Sequence, residues 1–183
     1  MMARRGTLGL LAGSVTAVLG GCGLFGPKSY RFRMTVEVET PQGIKTGSSV
    51  YEVSGRRSVA LTSEESKGSV SVRGEALVVD LPGGPLFVTL KMPVAGRTLA
   101  GPATRALAPD TKRGGFEALM AGVGKLGGIF ASARAELPRQ DWPLMVRFGN
   151  IADPTSVVEV DPEAAGVKRI VLETTGDEVT TAS

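Results

Sequence analysis

Between residues 30 and 39 the chain alternates: Tyr30, Phe32, Met34, Val36 and Val38 are apolar, while Arg31, Arg33, Thr35, Glu37 and Glu39 are polar. A period of two predicts a strand with one buried and one wet face. Thr40-Pro41-Gln42-Gly43 carries turn chemistry, with Pro second and Gly fourth. Residues 44–53 then read as the antiparallel return of a hairpin. Ser48, Ser49, Arg31 and Arg33 are assigned to its wet face, where a flat exposed edge could pair with a strand of another protein.

Ser54-Gly55-Arg56-Arg57 breaks the pattern, and residues 63–68 form a polar loop with Glu64 and Glu65. Residues 69–72, 75–81 and 86–92 read as strands, the last two separated by the turn Pro82-Gly83-Gly84-Pro85. Leu77-Val78-Val79 and Leu86-Phe87-Val88 are continuous apolar runs, which predict central strands covered on both faces. The candidate cover is a helix within residues 115–135, where Phe116, Leu119, Met120, Val123, Leu126, Gly127 and Phe130 recur at spacings of three and four. Gly122, Gly124, Gly127 and Gly128 each cost ~1 kcal/mol against Ala in a helix. The helix is therefore expected to break near Gly127-Gly128 or to pack tightly. Residues 95–113 read as the loop leading to it, and Leu137-Pro138 as its end. Residues 144–148 form a strand, 150–154 a turn, 155–160 a short strand or helical turn, and Asp161-Pro162-Glu163 another turn. Residues 167–174 form the last strand, and 176–183 a flexible polar tail. The expected fold is α+β: a mainly antiparallel sheet of about six strands with one helical region packed on it.

The start of the chain follows a different rule. Arg4 and Arg5 precede a 13-residue apolar or small run from Thr7 to Leu19, closed by Gly20 and Gly21. That layout is a secretory signal, and the run falls short of the ~20 residues that span a bilayer. The residues around Arg4 and Arg5 fit a twin-arginine signal poorly, so plain export is expected. Leu19-Gly20-Gly21-Cys22 resembles the lipobox of bacterial lipoproteins. The resemblance implies a diacylglyceryl group on the Cys22 thiol, cleavage before Cys22 and acylation of the new amine. Two or more acyl chains hold a protein stably, at ~0.8 kcal/mol per buried CH₂. Gly23, where lipoproteins retained in the inner membrane carry Asp, implies the outer membrane rather than the inner. The expected division is a signal at 1–21, a lipidated tether at 22–29, one β-rich domain at 30–175 and the tail at 176–183.

Composition narrows the chemistry. Without Arg4 and Arg5 the 21 basic residues become 19 against 18 acidic ones, so the exported chain of 162 residues carries +1. The whole-chain pI of 9.2 overstates its basicity. No basic stripe with interleaved aromatics stands out, so no nucleic-acid partner is expected. The sequence has no His, and its one Cys is Cys22. Ser-His-Asp and Cys-His catalysis, His- and Cys-ligated metals, and disulfides are thereby excluded, and no cofactor is expected.

Residues 30–43, Gly47-Ser48-Ser49-Val50, residues 152–162 and Val167-Lys168-Arg169-Ile170 together resemble a group of small uncharacterised bacterial lipoproteins. The resemblance covers both ends of the domain and leaves residues 93–140 without a counterpart. In those relatives the chain continues past the final strand, where this sequence stops at Ser183. It implies location and a single domain, and it carries no activity onto any residue.

Three constellations remain. Gly122-Val123-Gly124-Lys125-Leu126-Gly127 fits G-x-G-x-x-G, but a dinucleotide site needs a strand just before it, so small-residue helix packing is the preferred reading. Leu126 after Lys125 excludes a P-loop. Asp110, Lys112 and Arg113 could offer charges to an anion at a helix start, and a solvated loop is preferred. Glu64, Glu65, Asp141 and Asp153 are possible acid–base groups, with no pair singled out by spacing. The sequence thus supports an envelope lipoprotein with a non-enzymatic binding or structural role, held to the membrane and facing other envelope proteins. Its alternatives are a lipid-anchored hydrolase using carboxylates or Ser/Lys, and a carrier of an apolar ligand in a cavity beneath Phe116, Met120 and Phe130, against which ordinary packing density weighs.

Overall fold

The alternating stretch at residues 30–39 becomes part of the longest hairpin among the described residues. A computed structural model describes residues 28–57, 68–111, 114–128 and 130–181. β1 (Lys28–Thr40) pairs with β2 (Gly43–Arg57) along its whole length, from Lys28 opposite Gly55 to Thr40 opposite Gly43. Gly43 has φ +108°, which suits glycine, and the Thr40 hydroxyl donates to the Gly43 carbonyl at 2.7 Å. Tyr30, Phe32, Met34, Val36 and Val38 all point inward. Burial of such side chains contributes ~1.5–3 kcal/mol each.

β2 does not stop at Ser54 but runs on to Arg57, because Gly55 gives α2 (Phe116–Leu126) room against it. A Cβ at Gly55 would lie 2.5 Å from the Met120 sulfur. β3 (Gly68–Arg73) pairs with this extension. On the other side of β1 lies β9 (Val167–Thr174), as the sequence predicts, with a bulge between Glu37 and Val38. β6 (Arg134–Glu136) pairs with β9 and completes a five-stranded sheet of order β3-β2-β1-β9-β6.

The remaining strands form a second sheet, where the sequence suggested one. Its order is β4 (Leu77–Val79), β5 (Leu86–Val88), β7 (Met145–Phe148) and β8 (Val157–Glu159). Every strand pair in both sheets is antiparallel. The class is therefore α+β and mainly antiparallel. The short apolar strands are not covered on both faces: Leu77 and Val79 are buried, but Val78 between them is 43% exposed. Across this sheet Val78 lies opposite Phe87 and Phe87 opposite Val146, and Phe87 meets Phe148 edge-on at 5.2 Å. The sheets meet where β4 crosses β2 at Gly47.

The stretch 95–113 holds a helix rather than a loop. α1 (Ala100–Leu107) buries Ala100, Pro102, Ala103, Thr104 and Leu107. Pro102 lies in its first turn, where no intrahelical donor is required. α2 ends at Gly127, so the helical region is shorter than the apolar spacing suggested. Phe130 lies beyond it, 93% exposed, and Ala135 belongs to β6. α1 packs on α2 at Gly122, whose Cβ would come within 2.8 Å of the Thr104 methyl. Tyr30 reaches up from β1 to share a 2.9 Å hydrogen bond with the Thr104 hydroxyl.

The polar residues after Thr175 make contacts with the sheet as far as Thr180. Asp177 pairs with Arg33, and its carbonyl accepts from Arg31 at 3.1 Å. The Thr180 amide donates to the Val50 carbonyl at 3.0 Å, and its hydroxyl accepts from the Val50 amide at 2.9 Å. The tail thus crosses the outer face of the hairpin and leaves Val50 only 5% exposed.

Candidate functional site

The clefts lie at the margins of the two sheets. One, of about 470 Å³, opens between the loop at 92–98, the start of α1, Leu119 of α2 and the helical turn Arg139–Asp141. The loop folds back on itself: the Met92 amide donates to the Arg97 carbonyl at 3.0 Å and the Leu99 amide to the Leu90 carbonyl at 2.9 Å. Val70, Met92 and Leu119 give the cleft apolar wall. Arg97, Arg105 and Asp141 bring charge to it, and neither arginine forms an ion pair among the described residues. Trp142 fixes the neighbouring turn, its Nε1 donating to the Leu137 carbonyl at 2.9 Å under the Arg139 guanidinium. Apolar wall with two unpaired guanidinium groups suits an anionic group on an apolar body.

The outer face of the five-stranded sheet is a lattice of opposite charges. Glu52 accepts from Arg73 at 3.1 Å and from Arg31 at 3.5 Å. Arg169 makes a bidentate pair with Glu37, both bonds 2.8 Å. Those bonds hold the Glu37 carboxyl below its ordinary range. Lys168 pairs with Glu39 and Arg134 with Glu173. Self-neutralised in this way, the face presents little net field to a partner.

The residues singled out from the sequence scatter. Cys22, Glu64, Glu65, Lys112 and Arg113 lie outside the described residues. Asp110 pairs with Lys125 at 2.9 Å, and the hydrogen bond from that ammonium lowers its pKa. Asp153 caps the helical turn Pro154–Ser156, and hydrogen bonds from Thr155 lower its pKa. Asp141 alone reaches the cleft. Gly122 and Gly124 sit inside α2 and Gly127 at its end, with no strand leading directly in. They are packing positions: Gly124 faces the Lys28 side chain, and a Cβ at Gly127 would stand 2.4 Å from the Ser29 carbonyl oxygen.

The assignment of both serines to the wet face requires correction. Ser48 is exposed, but Ser49 points inward opposite Met34 and is 4% exposed. Its hydroxyl and that of Tyr51 are buried without a hydrogen-bond partner. The two lie near each other and near the Leu77 backbone without meeting hydrogen-bond geometry, and burial raises the Tyr51 pKa. Met120 is buried against Gly55, and Phe130 is 93% exposed and not part of that face.

Among the described residues no group of three or more acidic or Cys side chains could hold a metal ion. No helix among them is long and apolar enough to cross a membrane. No protein family, curated protein or solved structure matches this chain. The described residues form an α+β domain of two antiparallel sheets and two helices, with a charged cleft beside α1.

Proposed function

We propose that the protein is a bacterial envelope lipoprotein, held by acyl chains on Cys22 and exposing a domain that binds or scaffolds rather than catalyses. The observation that carries this reading is the spacing of two features. The Leu-Gly-Gly-Cys motif ends at Cys22, and the ordered hairpin begins at Lys28. Two or more acyl chains on Cys22 would hold β1 stably to the membrane through a tether of a few residues. The non-enzymatic part draws support from the carboxylates, since Asp110 and Asp153 are committed to structure and Asp141 stands alone at the cleft. The membrane is the outer one, with the domain on its periplasmic face, and the cleft beside α1 is the surface available to a ligand.

The test is mass spectrometry of the mature N-terminus with membrane fractionation, comparing wild type with Cys22→Ser. The expected result is a diacylated and N-acylated Cys22 in the membrane fraction, with the variant unprocessed or released. An unmodified wild-type chain in the cytosol overturns the reading.

A further inference from the structure

The first residues of β1 and the segment after α2 share one end of the molecule. The Gly127 backbone packs on the Ser29 carbonyl, and the Lys28 side chain lies along Gly124. The turn beyond the helix closes through the Ala131 amide and the Gly128 carbonyl at 2.9 Å, and the Thr174 hydroxyl ties it to the sheet at the Ala131 carbonyl. Phe130 sits in that turn. It is 93% exposed, the most exposed large apolar side chain among the described residues. An aromatic ring this exposed, at a turn held by hydrogen bonds, has no role in the core. Around the same end stand Lys28 and Arg56, neither of which forms an ion pair among the described residues, and Arg57, which pairs with Glu117 at 2.7 Å.

The length of chain before β1 says what lies opposite this end. Six residue steps separate Cys22 from Lys28. Fully extended they span at most about 21 Å. β1 itself has 13 residues, and at the rise of a strand its far end, the turn at Pro41 and Gln42, is about 40 Å away. Ile44, 63% exposed, marks that distant tip.

We propose that the end carrying Lys28 and Phe130 is the membrane-contacting surface of the domain, with Phe130 inserted at the interface of a phospholipid bilayer and Lys28 and Arg56 at headgroup level. The inference rests on the anchored reading above, since Cys22 fixes the origin of the tether. Aromatic rings favour that interfacial depth, and basic side chains beside them favour anionic headgroups. The domain then stands end-on, with the β1–β2 turn projecting away from the bilayer. The cleft beside α1 is left open to the periplasm.

The full chain offers a clean measurement, because a lipidated Cys22 has no free thiol. Phe130→Cys and Ile44→Cys, each purified from membranes, are labelled with an environment-sensitive nitrobenzoxadiazole and reconstituted in phosphatidylethanolamine–phosphatidylglycerol vesicles. Both positions are exposed, and Trp142 emission reports that each variant is folded. The expected result is a blue-shifted label at 130 that lipid-borne doxyl groups quench and aqueous iodide does not, with the reverse at 44. Equal iodide quenching at both positions, with Cys22 acylated and the protein floating with the vesicles, overturns the orientation and leaves the anchor standing. Shielding of 130 from iodide without doxyl quenching assigns Phe130 to a protein partner and also overturns it. An unmodified Cys22 removes the anchor and the orientation together.

Discussion

Gly47→Ala tests the junction on which the two-sheet architecture depends. A methyl group built at Gly47 would stand 2.3 Å from the Val78 carbonyl oxygen, 2.9 Å from a Leu77 methyl and 3.0 Å from a Val79 methyl. The nearest atom is backbone, so no rotamer change relieves the clash. A carbon–oxygen contact needs about 3.3 Å, so β4 would have to retreat by about 1 Å. Leu77 and Val79 flank that carbonyl and are 1% and 0% exposed, so the retreat drags close-packed side chains with it. Overpacking of this kind costs about 1–3 kcal/mol. Against it, Ala in place of Gly restricts the unfolded chain and restores ~0.4–1 kcal/mol. The rigid backbone contact places the cost towards its upper end, for a net loss of about 1–2 kcal/mol.

The assay is equilibrium urea unfolding followed by Trp142, the sole tryptophan, 5% exposed in the native state. With a slope of about 2 kcal/mol/M, the midpoint should fall by about 0.5–1 M. Gly176→Ala is the control, because nothing lies within 4 Å of its added methyl. Its midpoint should stay within the ~0.5 kcal/mol expected of a neutral surface change. A Gly47→Ala midpoint equal to or above wild type, with the control unchanged, would show that β4 does not cross β2 there.

Three further outcomes follow from buried hydroxyls, one carboxylate and the tail. Tyr30→Phe should lose about 0.5–1.5 kcal/mol with its hydrogen bond to Thr104, whereas Tyr51→Phe removes a buried, unpartnered hydroxyl and should leave stability unchanged or raised. Equal losses in urea unfolding would show that Tyr51 has a partner. The lowered pKa of Glu37 gives stability that is present above the unfolded carboxylate value of ~4.3 and lost as pH falls through the folded value. Glu37→Gln should therefore lower the urea midpoint near neutrality and converge on wild type in acid; a constant difference across pH would sink the linkage. Truncation after Thr175 removes both Thr180 bonds to Val50 and should cost about 1–2 kcal/mol. Hydrogen exchange at the Val50 amide should accelerate with it, and unchanged exchange would place the tail off the sheet.

What was legible in the chain depended on how far each signal reaches. Alternation over residues 30–39 fixed which side chains of β1 go inward, since period two is a local property. The same parity carried along β2 from Val53 and Tyr51 places Ser49 inside, a reading the polar run of Ser48 and Ser49 obscured. Period cannot say which sheet a three-residue strand joins. Leu77-Val78-Val79 therefore looked like the middle of one sheet when it forms the edge of another. α1 escaped notice because its buried stripe is mostly Ala100, Pro102, Ala103 and Thr104, with Leu107 its one large apolar side chain, too little to register as apolar periodicity. Phe130 failed in the opposite way: its spacing from Val123 and Leu126 is helical, but Gly127 and Gly128 end the helix before it.

The cleft was beyond any local pattern. Val70, Arg97, Arg105, Leu119 and Asp141 come from β3, a loop, two helices and a turn, and only their packing brings them together. That separation also bears on function. Several polar groups away from the cleft are absorbed by the fold: Thr104 by Tyr30 and Ala100, Asp110 by Lys125, Asp153 by Thr155, Glu37 by Arg169. The Arg97 and Arg105 guanidinium groups form no ion pair among the described residues. A cleft that offers two guanidinium groups beside one carboxylate has the fork geometry to hold an anionic group against its apolar wall.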